Sequence, residues 1–189
     1  MDMEQTHRIL VTGFEPFSGA SLNTSAEVLH RLPDTIGGWQ VTKAVLPVVF
    51  GRAAEEALRY AADLTVLLGE AGGRTLVTPE LYAKNVRNAR IPDNAGQQPM
   101  QEIILPDGPE VYRTAVPVER ITAQMQAEGH GIAVSGDAGA FVCNDTYYLV
   151  GMASCVPVVF LHVPALPSKA DAFADTVRRF IELAEAMET

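Results

Sequence analysis

The stretch DLTVLLGEAGGR, running from Asp63 to Arg74, decides how the chain is read. Leu64-Thr65-Val66-Leu67-Leu68 is a continuous apolar run bounded by Asp63 and Gly69. A run this short, without a polar face to offer water, predicts a strand buried in the middle of a sheet. Working outward, the same kind of segment recurs between helical patterns. Arg8 to Thr12 predicts a short strand stopped by Gly13. Asn23 is placed to cap a helix reaching about Leu32, with Ala26, Leu29 and Leu32 at helical spacing. Residues 41–49 predict a strand, with Pro47 near its end or on an edge. Residues 52–61 predict a helix, 118–128 another ended by Gly129, and 132–135 a strand. Residues 144–153 predict a short helix and 156–162 a second buried strand. A last amphipathic helix over 172–187 gathers Phe173, Val177, Phe180, Ile181, Ala184 and Met187 on one face, opposite Asp175, Arg178, Arg179 and Glu182. Apolar strands alternating with helices predict an α/β protein: a single three-layer α/β/α domain over 1–189, around a mostly parallel or mixed twisted sheet.

Composition narrows the function. The 189 residues are 48% hydrophobic and 20% charged, enough apolar material for a sizeable core. Lys plus Arg number 14 against 23 Asp plus Glu, a formal charge of −9 without a dense basic run. Such a chain is repelled by phosphate backbones and anionic lipid surfaces, so neither nucleic acid nor membrane is expected as a partner. The opening MDMEQTHRIL does not read as a signal peptide, and no run approaches the roughly 18 apolar residues of a bilayer span. Two cysteines, Cys143 and Cys155, read as free thiols in a reducing cytoplasm. Neither HExxH, CxxC nor a phosphate-binding glycine motif occurs, so neither a metal nor a cofactor is expected.

Residues 70–110 are dense in Gly, Pro, Asn and Asp, and too long to be an idle connection. Open α/β sheets carry their sites beyond the carboxyl ends of strands. The exits here are Gly13-Phe14-Glu15-Pro16-Phe17-Ser18-Gly19, Gly69 to Arg74, and Phe160-Leu161-His162-Val163-Pro164. To these Gly139-Ala140-Phe141-Val142-Cys143-Asn144 adds a segment leading into a helix. Cys143 is therefore expected at or near a helix N-terminus, where unpaired N–H groups favour a thiolate and its ordinary pKa of about 8.5 should fall. Those N–H groups can also hold an oxyanion. His162, at the end of a buried strand, is the best base; His7, His30 and His130 fit solvent-exposed positions. The base needs an orienting carboxylate, for which both Glu70 and Glu80 qualify. Phe14, Phe17 and Phe141 offer either core plugs or the walls of a small apolar slot.

Five segments, LVTGFEPFSG at 10–19, GEAGGRTLVTPE at 69–80, ARIPDNAGQQP at 89–99, GAFVCND at 139–145 and FLHVPALP at 160–167, resemble the pyroglutamyl peptidases type I in their order. The resemblance implies a cofactor-free cytosolic cysteine exopeptidase that removes N-terminal pyroglutamate from peptides through a thioester. It implies Cys143 as nucleophile, His162 as base and Glu80 as orienting acid. It further implies Phe14, Phe17, Asn23, Glu70 and Phe141 as substrate-binding residues, and Arg90 as support for the oxyanion. A homo-oligomer, dimer or tetramer, is compatible with it. Glu70 stands where the family usually has Gln, and Ser18 where it usually has Gly. Two alternatives accompany this reading: an amidohydrolase of the same fold with a retuned small-molecule substrate, and a non-catalytic binder of cyclic N-terminal peptides.

Overall fold

The computed structural model describes residues 7–187. Eight strands and five helices follow the chain as β1 (Arg8–Phe14), α1 (Thr24–Arg31), β2 (Thr35–Ile36), β3 (Trp39–Leu46), α2 (Arg52–Ala57), β4 (Leu64–Ala71), β5 (Thr78–Glu80), β6 (Tyr82–Lys84), β7 (Val111–Arg113), α3 (Val118–Ala127), α4 (Val142–Ala153), β8 (Val158–Pro164) and α5 (Ala170–Ala186). Six strands form one sheet in the order β2-β3-β1-β4-β8-β5, and β6 and β7 form a separate antiparallel pair. The four inner strands run parallel, while the short β2 and β5 pair antiparallel at the two ends. A mixed, mostly parallel sheet is therefore present as expected, with the DLTVLL run at its centre.

The layers follow from side-chain parity. Along β1 and β4, Ile9, Val11, Leu64, Val66 and Leu68 enter one apolar cluster with Val177, Phe180 and Ile181 of α5. Leu10, Phe14 and Leu67 enter a second cluster with Ala53 and Ala54 of α2 and Tyr147 of α4. Because successive strand residues face opposite sides, a strand buried on both must be apolar at every position. On β8 the same alternation gives Val159, Leu161 and Val163 to the α5 side. Val158, Phe160 and, by continuation, His162 face α4. This parity places the histidine on the same side of the sheet as Cys143.

Several boundaries moved. The third strand stops at Leu46, before Pro47, which has no N–H to give the ladder. Helix α2 is short: Arg59 and Tyr60 already donate to carbonyls three residues back as the chain tightens toward β4. The expected strand at 132–135 is two isolated bridges, Val77 with Ile132 and Glu80 with Ser135, which lay that segment beside β5. Helix α4 starts at Val142, two residues earlier than expected, so Cys143 lies inside its first turn.

The 70–110 stretch is ordered largely by its own polar groups. Asp93 accepts from the N–H groups of Phe50, Ala95 and Gln97 at 3.0, 2.9 and 2.8 Å. Asn94 donates to the Glu15 carboxylate at 2.9 Å and to the Pro16 carbonyl at 3.0 Å, clamping the exit loop of β1.

Candidate active site

Glu80 accepts a hydrogen bond from Nδ1 of His162 at 2.8 Å. Glu80 is fully buried and His162 is 4% exposed. An ionised carboxylate can only accept, so the proton sits on Nδ1 and Nε2 is left as the basic nitrogen. Register explains the pairing: in the antiparallel β5–β8 ladder Glu80 lies opposite Phe160, on the same face as His162 two residues on. The β5 backbone is fixed from the helical side, where the Tyr147 hydroxyl donates to the Glu80 carbonyl at 2.9 Å.

The sulfur is located by a glycine. Gly69 of β4 is the ladder partner of His162. A Cβ built on Gly69 would come within 2.7 Å of the Cys143 Sγ and 2.6 Å of the Phe160 ring. Only a residue without a side chain lets the sulfur settle onto the sheet here. Cys143 and His162 line the same cavity, of about 480 Å³. The α4 N-terminus is anchored by the two residues after Cys143. Asn144 accepts from the Lys84 N–H at 2.8 Å and donates to the carbonyls of Lys84 and Val86 at 2.9 and 3.1 Å. Buried Asp145 accepts from the Gly51 N–H at 2.8 Å and from Arg87 Nε at 2.6 Å. First-turn N–H groups of the helix, including that of Cys143, lack intrahelical acceptors and are available to an oxyanion.

The expected fall in the thiol pKa is corrected. Burial pushes the Cys143 thiol up to about 12, the charges of Glu80 and then Glu70 add to the rise, and only the backbone N–H at 143 opposes it. Desolvation of a thiolate and two nearby carboxylates outweigh one helix end.

Phe14, Phe17, Asn23, Val48, Glu70, Phe141, Val142 and Cys143 line a narrow slot opening beside the sulfur. Phe17 and Phe141 rings lie 6.0 Å apart, and Phe141 is braced edge-on by Phe50 at 5.4 Å. Phe14 is 2% exposed, so its ring is both core and slot wall. Asn23 spends its side chain on construction: Oδ1 accepts from the N–H and hydroxyl of Ser25 at 3.0 and 2.7 Å, and Nδ2 donates to the Glu15 carbonyl at 3.1 Å. It is both the cap of α1 and part of the slot. Glu70 lines slot and cavity alike, and its Oε2 accepts from the Thr24 N–H at 2.6 Å. That bond sets the carboxylate on the N-terminus of α1, where the helix dipole favours a negative group. Arg90 is exposed on the cavity wall, outside the slot.

Sequence reasoning did not single out Gly69, Asn144, Asp145 or Arg74 for roles here, although all four fall inside the quoted motifs. Among the described residues, no group of three or more His, Cys, Asp or Glu is arranged to hold a metal ion. Among the same residues, no helix is long and apolar enough to cross a membrane.

Comparison with known proteins bears on the same residues. A family model described as pyroglutamyl peptidase matches residues 7–181. The chain is 41% identical over 171 residues to a pyrrolidone-carboxylate peptidase of Staphylococcus saprophyticus, covering 86% of this chain and 80% of that one. It is 43% identical over 174 residues to the pyrrolidone-carboxylate peptidase of Gloeobacter violaceus, covering 86% and 84%. The crystal structure of pyroglutamyl peptidase I from Bacillus amyloliquefaciens superposes with a TM-score of 0.88 at 32% identity, covering 95% of this chain and 97% of that one.

Proposed function

The chain belongs to the pyroglutamyl peptidase family, and we infer that it removes N-terminal pyroglutamyl residues with Cys143 as nucleophile, His162 as general base and Glu80 as orienting acid. The observation that carries the residue assignment is the convergence at Gly69: the sulfur rests over a glycine whose ladder partner is the histidine, and that histidine is held by a buried carboxylate.

An N-terminal pyroglutamyl residue is a flat lactam without an ammonium group. The Phe14, Phe17 and Phe141 rings desolvate its apolar faces, while groups at the slot edge meet its N–H and carbonyl. One Glu70 oxygen is committed to Thr24, which leaves the other to accept from the lactam N–H. The scissile carbonyl then lies at the sulfur. His162 Nε2 takes the thiol proton as the S–C bond forms, and the first-turn N–H groups of α4 receive the developing oxyanion, with Arg90 nearby on the cavity wall. The imidazolium passes its proton to the leaving amine. A water deprotonated by the same nitrogen then attacks the thioester, releasing pyroglutamate and restoring the thiol. Glu80 holds one tautomer throughout.

The whole span 1–189 acts, on this reading, as one catalytic domain with peptides as its macromolecular ligands. It works in the cytoplasm, in keeping with two free cysteines, of which Cys155 is exposed. A dimer or tetramer is part of the same proposal, suggested by the exposed apolar side chains Met100, Ile103 and Val111. Pyroglutamyl-, alanyl- and prolyl-aminocoumarin substrates test the assignment. Release from the pyroglutamyl compound alone, lost in C143A and H162A, is expected; activity that survives in C143A removes Cys143 from the mechanism.

A further inference from the structure

The structure assigns Arg74 a positioning role: we propose that its guanidinium locks the orienting acid to the loop that delivers the nucleophile, so that losing it impairs the chemical step rather than substrate binding. The proposal rests on the Cys143–His162–Glu80 reading above.

Glu80 has a problem that His162 does not solve. It is a fully buried carboxylate, and while Oε1 accepts from the imidazole, Oε2 has no partner among the described residues. A charge taken out of water needs a counter-charge and filled hydrogen bonds. Arg74 supplies the counter-charge. Its Nη2 lies 3.2 Å from Oε1, the same oxygen that holds the histidine. Among the described residues, no other Lys or Arg forms an ion pair with Glu80.

The same Nη2 donates to the carbonyl of Asp137 at 2.8 Å. Asp137 is itself pinned: its Oδ1 accepts from Lys84 Nζ at 2.8 Å and from the Gly139 N–H at 3.0 Å. Gly139 turns the chain with φ +81°, and four residues later comes Cys143. One guanidinium nitrogen therefore spans two parts of the site that arrive from different directions, the acid on β5 and the approach to α4. It does so from the GEAGGR exit of β4, the strand that also provides Gly69. Nη2 carries two N–H groups, one for each contact, on a planar and permanently charged group; a lysine ammonium has donors enough for both but sits on a shorter, freely rotating stem and holds the two less firmly.

During catalysis His162 becomes an imidazolium against Glu80. A carboxylate that had lost Arg74 could rotate toward its unpartnered oxygen or release the Nδ1 proton contact, and the base would then present the wrong tautomer. This failure lies in the chemical step: Arg74 touches the orienting acid and, although it lines the wider cavity together with Cys143 and His162, it does not join the walls of the lactam slot.

The test compares R74Q and R74K with the parent on pyroglutamyl-aminocoumarin, with melting temperatures to check folding. C143A and H162A run alongside to read the catalytic set itself. For R74Q, kcat is expected to fall about 10- to 100-fold with KM within about twofold, and R74K is expected to recover part but not all of the loss. The rate of Cys143 alkylation by iodoacetamide, which requires no substrate, should fall in R74Q in the direction that H162A shows. An R74Q enzyme with kcat within about threefold of the parent, or a defect confined to KM, overturns the proposal. If R74Q does not fold, R74M decides: kcat within about threefold of the parent refutes the bridging role, and a loss of about tenfold or more with KM unchanged upholds it. Should C143A or H162A retain full activity, the catalytic assignment fails instead, a result separate from any outcome at Arg74.

Discussion

The protonation state of the resting nucleophile can be tested by titration. With its thiol pushed up to about 12, Cys143 is ionised at neutral pH to only about one part in 10⁵. A mechanism that had to wait for free thiolate would carry a penalty of about 7 kcal/mol, at 1.36 kcal/mol per pH unit. On the proposed mechanism, transfer to His162 in step with S–C bond formation avoids it. The sign of the linked stability effect follows from the same shift. The folded state keeps its thiol proton above the unfolded-state value of 9.0, so it binds more protons than the unfolded chain from there up to about pH 12. Stability must therefore fall as pH rises through that window, and C143A must be spared. A three-unit gap is worth at most about 4 kcal/mol; cavity water screens a half-buried sulfur, so about 1–2 kcal/mol by pH 11 is expected.

Thiolate absorbance in the ultraviolet, parent minus C143A, reads the titration, and chemical denaturation of both proteins at pH 8 and pH 11 reads the stability. The difference absorbance should stay flat through neutrality and rise only on the alkaline side. A thiolate band already present at pH 7, or a parent that loses no more stability than C143A at pH 11, would refute the argument. It would show a Cys–His ion pair in place of general-base activation.

Three other expectations come from single positions. G69A introduces a Cβ 2.7 Å from the sulfur and 2.6 Å from the Phe160 ring, so the nucleophile must shift; kcat should fall about 100-fold while the fold survives, and a G69A enzyme of parental kcat would sink that account of the glycine. E70Q removes the second of the two carboxylates that raise the thiol, so the alkaline titration of Cys143 should move down in pH; because the amide makes a weaker contact with Thr24 N–H, the variant should also lose about 0.5–1 kcal/mol in chemical denaturation. Ser18 sits at φ +53°, a left-handed conformation that favours glycine, so S18G should gain about 0.5–1 kcal/mol in the same assay despite the added freedom of its unfolded chain.

The layers were readable because strand burial leaves a plain mark: the run from Leu64 to Leu68 is apolar but for Thr65, and it lies at the middle of the sheet with all five side chains buried. Along β8 the same alternation turns His162 toward α4, on the side of the sheet that holds Cys143. Less legible were features that depend on pairing between distant segments. Nothing local in Thr78-Pro79-Glu80 announces an antiparallel strand against β8, because three residues carry too little pattern; only the ladder brings the acid to the imidazole. For that reason the residues alone do not separate Glu70 from Glu80, and only the family resemblance does. The thiol's shift runs against the sequence expectation because a helix N-terminus is visible in sequence, whereas the burial and the two converging carboxylates that outweigh it are products of tertiary structure.

Glu70 sharpens the question of how the slot refuses an ordinary N-terminus. A bare carboxylate at the mouth of an apolar pocket would attract the ammonium of any peptide, which would work against selection of an uncharged lactam. Here Oε2 is bound by the Thr24 N–H at the start of α1, so the positive end of that helix already offsets part of its charge. What remains is an oxygen able to accept one hydrogen bond, set among Phe14, Phe17 and Phe141. An ammonium entering that setting would forfeit most of its water for one partly neutralised acceptor, while the lactam N–H has far less hydration to lose. On the proposed reading, selectivity for the closed ring comes from the aromatic walls and the helix end acting together, and a carboxylate can occupy this position without converting the slot into a cation site.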